Sequence, residues 1–331
     1  MPKTYHKIIL PVRPQPDTII AIFILQRFGK ERFVGIENAT IESWSTLPHG
    51  DSEQTLDEEG VLLIDIGGGK FDHHTALTQT TAADLVAAEL GVQDDPALAK
   101  LIEYARRDDF FGKGTISEDQ LDRTFGLTGL ISNLNKEHSR DPHYVVSTIL
   151  PLIVSHYNEQ VRRVKELPEE FEEICKRNEA HIFTTKQRGK KLKVVMLTSD
   201  NPSLTGYLRS GGGGGYDVVA QWMVSGHVNV ITRQMKRIDL RPLAAIIRIE
   251  EARKQNMDIS SRDDRYLTRP GKITEVMDWY YDPATNSLQN GGINPTGIHP
   301  TRITAAELLE ILRIGLEWQP ATEAAAPTNN A

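Results

Sequence analysis

Apolar residues along the chain gather into short unbroken runs, separated by joints rich in glycine, proline and charge. That pattern predicts strands buried on both faces alternating with helices. Lys7 to Val12 (K-I-I-L-P-V) reads as a first buried strand, and the run T-I-I-A-I-F-I-L-Q-R-F after Asp17 as a mostly buried helix. Glu31 to Trp44 offers one or two short strands, and His49 to Glu59 is a polar, acidic loop. Val61 to Ile64 and Ile66 bracket one aspartate, Asp65, in a buried strand that ends in Gly67, Gly68 and Gly69. Thr81 to Leu90 predicts a short helix pausing at Gly91. A longer helix follows, with Asp95 as cap and Pro96 at its first position, and it ends on Asp108 and Asp109. Leu121 to Asn135 and Pro142 to Tyr157 read as helices, the second interrupted at Pro151.

Charge dominates from Asn158 to Glu179, a solvated helical face that reads as a connector between domains. Lys193 to Thr198 then predicts a strand that opens a second domain. Asp217 to Val224 and His227 to Arg233 alternate around Ser225-Gly226, a β-hairpin signal. Arg233, Lys236 and Arg237 form a small basic patch at its end, and Asp239 caps a helix through Lys254. The glycine run Gly211 to Gly215 reads as a flexible hairpin connection, a mobile lid or a phosphate-cradling loop. No Lys-Ser/Thr pair follows it, so it is not a P-loop. Leu288 to Arg302 is glycine-rich and leads into a capping box, Thr304 to Glu307, and an amphipathic helix to Leu316. The expected organisation is 1–157, a connector at 158–185, a smaller α+β domain at 186–318 and a disordered tail at 319–331. The fold class is α/β: a parallel sheet with flanking helices, then the α+β domain closing across a cleft.

Composition adds exclusions. The 331 residues carry a formal net charge of −7, against a generally basic nucleic-acid-binding protein. Cys175 is the single cysteine, so an internal disulfide and a cysteine-built zinc site are both excluded. The apolar run Ile8 to Val12 is too short for a signal-peptide core, and no run nears the ~18 apolar residues that cross a bilayer. A cytoplasmic protein without a membrane partner is expected. Phe110, Phe111, Tyr207 and Tyr216 fall where they could stack a base or pack in a core.

The chemistry concentrates in V-L-L-I-D-I-G-G-G-K-F-D-H-H-T, Val61 to Thr75. Asp65 sits at the carboxyl end of a strand, where open α/β sheets place their ligands. The glycine turn brings Asp72, His73 and His74 back beside it. Two carboxylates and two imidazoles without sulfur suit Mn, Mg, Zn or Fe. Asp17 stands at an earlier strand-to-helix junction, where aspartate is among the favoured N-caps. Asp108 and Asp109 oppose the dipole at a helix C-terminus, a placement that a nearby cation would relieve.

The Asp-His-His triplet with its upstream strand-end aspartate resembles the DHH phosphoesterase superfamily. It is most similar to the RNA-exonuclease branch labelled "metal-dependent protein hydrolase". The helix T-T-A-A-D-L-V-A-A-E-L-G and the Asp108-Asp109 pair extend the likeness. The resemblance implies Mn(II) or Mg(II), one ion or two, held by Asp17, Asp65, His73 and either Asp108 or Asp109. It implies His74 in phosphate contact or leaving-group protonation, and Asp72 orienting the histidines. Gly291, Gly292, His299, Thr301 and Arg302 would hold the nucleotide, or simply form a loop braced by Pro295 and Pro300. The superfamily's first motif, H-x-x-P-D-x-D, is altered: Pro16 and Asp17 match, while Arg13 and Ile19 replace a histidine and an aspartate. Arg13 could hold a substrate phosphate instead.

The implied activity is a metal-dependent phosphodiesterase or exonuclease acting on short single-stranded RNA, oligonucleotides or nucleotides. A non-catalytic nucleotide-binding regulatory module and a small-anion phosphatase or polyphosphatase remain the alternatives, and a homodimer is one assembly left open.

Overall fold

Ile8 and Leu10 of the first strand pack into one apolar cluster and Ile9 into another. Both faces of the strand are therefore covered, as its unbroken apolar run requires. The computed structural model describes residues 3–74, 79–112, 117–292 and 295–317; the expected tail, 319–331, lies outside them. The chain divides into two compact units, Met1–Val164 and Lys165–Ala331. Together they make a mixed α/β protein with a small parallel sheet and a larger mixed one.

In the first unit β1 (Lys7–Pro11) leads into α1 (Pro16–Phe28), followed by β2 (Thr40–Trp44), α2 (Glu53–Glu58) and β3 (Val61–Leu63). Then come α3 (Ala82–Glu89), α4 (Ala99–Phe111), α5 (Gln120–Phe125), α6 (Leu127–Glu137) and α7 (Pro142–Val161). The three strands are parallel in the order β2-β1-β3, so β1 and β3 end side by side. α1 packs against α3, α4 and α7. Its residues from Pro16 to Leu25 are all buried, which is why it is apolar all round.

Several local expectations need correction. Of the one or two strands expected in Glu31 to Trp44 one forms, Thr40–Trp44, after 3₁₀ turns at Gly29–Glu31 and Ile36–Asn38. Asp95 caps a turn through Ala97 N (2.9 Å), and α4 starts only at Ala99. Gly126 splits the helix expected over Leu121–Asn135. Pro151 does not interrupt α7: Ile149 and Ile153, buried on either side of it, hold the helix through the missing bond.

The second unit begins with α8 (Leu167–Lys176), β4 (Ala180–Gln187), β5 (Lys190–Thr198), α9 (Ser203–Arg209), β6 (Val218–Trp222) and β7 (Val228–Thr232). It continues with α10 (Arg241–Lys254), α11 (Asp264–Leu267), β8 (Gly271–Ile273), β9 (Val276–Asp282), β10 (Ser287–Asn290) and α12 (Ala305–Glu317). The sheet order is β4-β5-β6-β7-β10-β9-β8; only β5 and β6 run parallel. One face packs on α10 and α12, and the other on α8 and α9. The second domain was expected to be the smaller, yet its sheet is the larger. Part of the expected connector, 180–185, supplies its edge strand, because Ala180 to Gln187 pairs along its whole length with β5. The hairpin around Ser225-Gly226 is present, with Gly226 at φ 83°.

Candidate metal centre

Asp17 stands in the first turn of α1, just beyond the end of β1, and Asp65 two residues past β3. Because the two strands are parallel neighbours, these carboxylates meet at the carboxyl edge of the sheet. Both are nearly inaccessible, at 2% and 6%. Asp65 has φ 60°, a conformation aspartate tolerates better than most residues and one that clusters at functional sites. Its N–H donates to Phe71 O (3.0 Å), closing the turn that returns the chain. Gly67, at φ 86°, is needed there: an added Cβ would lie 2.3 Å from Leu47 Cδ1.

Asp72 is consumed by the turn. Its carboxylate accepts from Gly68 N (2.7 Å) and His74 N (3.0 Å) and contacts His74 Nδ1 at 2.8 Å. Burial pushes Asp72 up, but these donors outweigh it and hold the carboxyl below its usual range. Asp72 therefore orients His74, an exposed ring stacked against His73 with centroids 4.5 Å apart.

His73 is the hub. Its Nε2 lies 3.2 Å from Asp65 Oδ1 and 3.6 Å from Asp17 Oδ2, and its Nδ1 lies 3.7 Å from Asp109 Oδ2. His74 Nδ1 is 3.5 Å from Asp65 Oδ1. The close Asp65 carboxylate, with Asp109 and Asp17, pushes His73 up to about 9 against the effect of burial. Burial, helped by the charges of Asp65 and Asp109, pushes Asp17 up to about 7, and burial also raises Asp109.

Asp17 Oδ2 and Asp65 Oδ1 are buried without a hydrogen-bond partner. An unsatisfied buried polar atom costs about 1–3 kcal/mol, and native folds seldom tolerate two side by side without a purpose. A divalent ion would satisfy both, and oxygen and imidazole donors suit a hard or borderline ion. Asp65, His73 and His74 place one donor atom each within 4.8 Å of one another, a candidate metal-binding triad.

The other expected site residues are distributed unevenly. Asp109 reaches His73, whereas Asp108 accepts the Thr128 hydroxyl at 2.7 Å. Arg13 is exposed on the loop before α1. Ile19 is fully buried in the core, where no ligand could replace it without burying charge. Thr18 was not anticipated: its Oγ1 donates to Asp65 Oδ2 at 2.7 Å. The available signal was a single hydroxyl between Asp17 and the apolar run of the helix.

The chain matches no protein-family model, and no curated protein matches it.

The second-unit residues serve their own loop. A Cβ on Gly291 (φ 87°) would lie 2.4 Å from Pro295 Cβ and 2.8 Å from His227 Cδ2, so close packing excludes a side chain there. Gly292 O accepts from Asn229 Nδ2 at 3.4 Å. Thr301 Oγ1 and Arg302 N both donate to the buried Glu251 carboxylate, which also receives Trp279 Nε1. These two positions brace the fold through those groups; the Arg302 side chain and the His299 ring are exposed. Gly211 to Gly215 is a hydrogen-bonded turn: Gly215 N donates to Ser210 O (2.8 Å), and Tyr207 Oη to Gly212 O (3.2 Å). Tyr207 and Tyr216 are core residues, whereas Phe111 is 63% exposed. Among the described residues no helix is long and apolar enough to cross a membrane.

Proposed function

We propose that this chain is a divalent-metal-dependent phosphodiesterase acting on short single-stranded RNA or oligonucleotide ends, with Mn(II) or Mg(II) as its metal. The observation that carries the reading is the convergence of two unpartnered buried oxygens, Asp17 Oδ2 and Asp65 Oδ1, on His73 Nε2 at 3.6 and 3.2 Å. When bound, a divalent ion supplies polarisation of a phosphoryl oxygen and a more acidic water. Asp17, Asp65 and His73 would hold it, and Asp109 would orient the His73 ring through Nδ1, the relation by which a second carboxylate raises ligand basicity. His74 is exposed and steered by Asp72, placed to pass a proton to the leaving oxygen. Arg13, exposed on the adjoining loop, would take a substrate phosphate through paired N–H donors. Asp72 acts through His74 and does not itself touch substrate in this scheme.

A short end-labelled single-stranded RNA tests the reading. Stepwise loss of nucleotides is expected with Mn(II), abolished by chelator and in His73→Ala. No cleavage with any divalent metal by a folded protein would overturn it. One observation favours a second reading, a nucleotide-binding regulatory module or a small-anion phosphatase: Arg13 and Ile19 remove two metal-binding side chains from the first strand-to-helix junction. RNA binding without turnover would support the first of these, and release of phosphate from polyphosphate the second.

A further inference from the structure

We infer that Thr18 is a positioning residue that aims Asp65 at a single divalent ion; the inference rests on the metal-site reading above. Thr18 is fully buried in the first turn of α1. Its Oγ1 accepts the Gln15 backbone N–H at 3.3 Å, so the hydroxyl has its proton left to give. That proton goes to Asp65 Oδ2, at 2.7 Å.

The consequence concerns which oxygens remain. A carboxylate bridges two ions most readily by offering one oxygen to each. In this site Oδ2 of Asp65 is engaged by a hydroxyl whose direction is set by the helix start, and only Oδ1 is unpartnered. Asp17 likewise offers Oδ2, and both oxygens face the same imidazole nitrogen. Of the neighbouring carboxylates that could build a second ion site, two are committed, and the third, Asp109, lies 3.7 Å from His73 Nδ1, on the far side of the ring from Nε2. Asp72 holds the Gly68 and His74 N–H groups, and Asp108 holds Thr128. Ile19, one residue further along α1, contributes only apolar core. The donor atoms thus describe one ion site, with Thr18 fixing the rotation of its central ligand. A residue acting on a metal ligand in this way tunes affinity without touching the ion.

The test is Mn(II) binding to the metal-stripped full chain, followed by equilibrium dialysis and electron paramagnetic resonance. One Mn(II) per chain is expected, with the six-line spectrum of an isolated ion. Thr18→Val should bind about 10–100-fold more weakly, while Thr18→Ser, which keeps the hydroxyl, should bind as the wild type does. Melting curves recorded beside each titration separate loss of fold from loss of affinity. If Thr18→Val does not fold, Thr18→Ala, which also lacks the hydroxyl, takes its place. Two Mn(II) per chain with an exchange-coupled spectrum would overturn the inference, as would wild-type affinity in a folded Thr18→Val. Those results leave the metal-site reading standing. Absence of Mn(II) binding in the wild type would remove both.

Discussion

Thr128 donates its hydroxyl to Asp108 Oδ1 at 2.7 Å, a contact that distinguishes two adjacent aspartates that the sequence presents as equivalent. Asp108 is 8% exposed and tied to α6, while Asp109, one residue on, has its carboxylate 3.7 Å from His73 Nδ1. Asp109→Asn should therefore weaken Mn(II) binding about 10–100-fold, the usual effect of losing the partner of a ligating histidine. Asp108→Asn should leave Mn(II) affinity unchanged and lower stability by about 1–3 kcal/mol. Calorimetric titration and denaturant unfolding of both variants check the assignment; reversed effects would exchange the roles.

Asp17 should trade stability for ligation. Its buried Oδ2 has no hydrogen-bond partner, and its pKa is raised to about 7 by burial and by the charges of Asp65 and Asp109. Asp17→Asn removes the buried charge without changing shape. The metal-free variant should melt above the wild type, by about 3 °C for each kcal/mol relieved, and should lose Mn(II) binding. A lower melting temperature in the chelated variant would show that the ionised carboxylate stabilises the fold by itself.

The metal-free protein should lose stability as pH rises. Asp17 keeps its proton to about 7 when folded against 3.8 as a free group, so the folded chain binds the extra proton across that interval. His73 continues the trend, with a folded value of about 9 against 6.5. Stability from both is complete below their unfolded values and is lost as pH climbs through the folded ones. With chelator, the melting temperature should be higher near pH 6 than near pH 9. Saturating Mn(II) should shrink the difference, since it binds the deprotonated ligands. A flat profile in the chelated wild type, or an equal slope in Asp17→Asn/His73→Gln, would refute an origin in these two groups.

The glycine run of the second unit should tolerate substitution unequally. A Cβ on Gly213 would lie 2.1 Å from Tyr207 O, a backbone atom, whereas one on Gly211 would meet nothing within 4 Å. Gly213→Ala should cost about 1–3 kcal/mol through overpacking, and Gly211→Ala close to nothing. Urea unfolding of the two variants distinguishes this packed turn from a loop indifferent to side chains.

The local chemistry of the chain was legible where residue type alone constrains it. Unbroken apolar runs at Ile8 to Leu10 and Val61 to Ile64 announce strands covered on both sides. Glycines at 67 to 69 announce a sharp return, and Asp65 beside His73 and His74 announces an oxygen–nitrogen donor set. The box at Thr304 and Glu307 is also readable, because its hydrogen bonds span only three residues: Thr304 N and Oγ1 each donate to Glu307 Oε2 at 2.8 Å.

What depended on distant parts of the chain was decided only by the tertiary structure. Pro151 stays helical because Ile149 and Ile153 are buried against other elements, an energy that propensity does not contain. Ala180 to Gln187 becomes a strand because β5 offers it a partner. Asp108 and Asp109 differ through Thr128, twenty residues away from the first of them. Asp65 receives its orienting hydroxyl from Thr18, forty-seven positions earlier. Hydrogen bonds of this reach exist only after the chain has folded, so their partners cannot be read from spacing. The sequence by itself determined which side chains are able to hold a metal; the packing of α1, β3 and α4 decided which oxygens are free to do so.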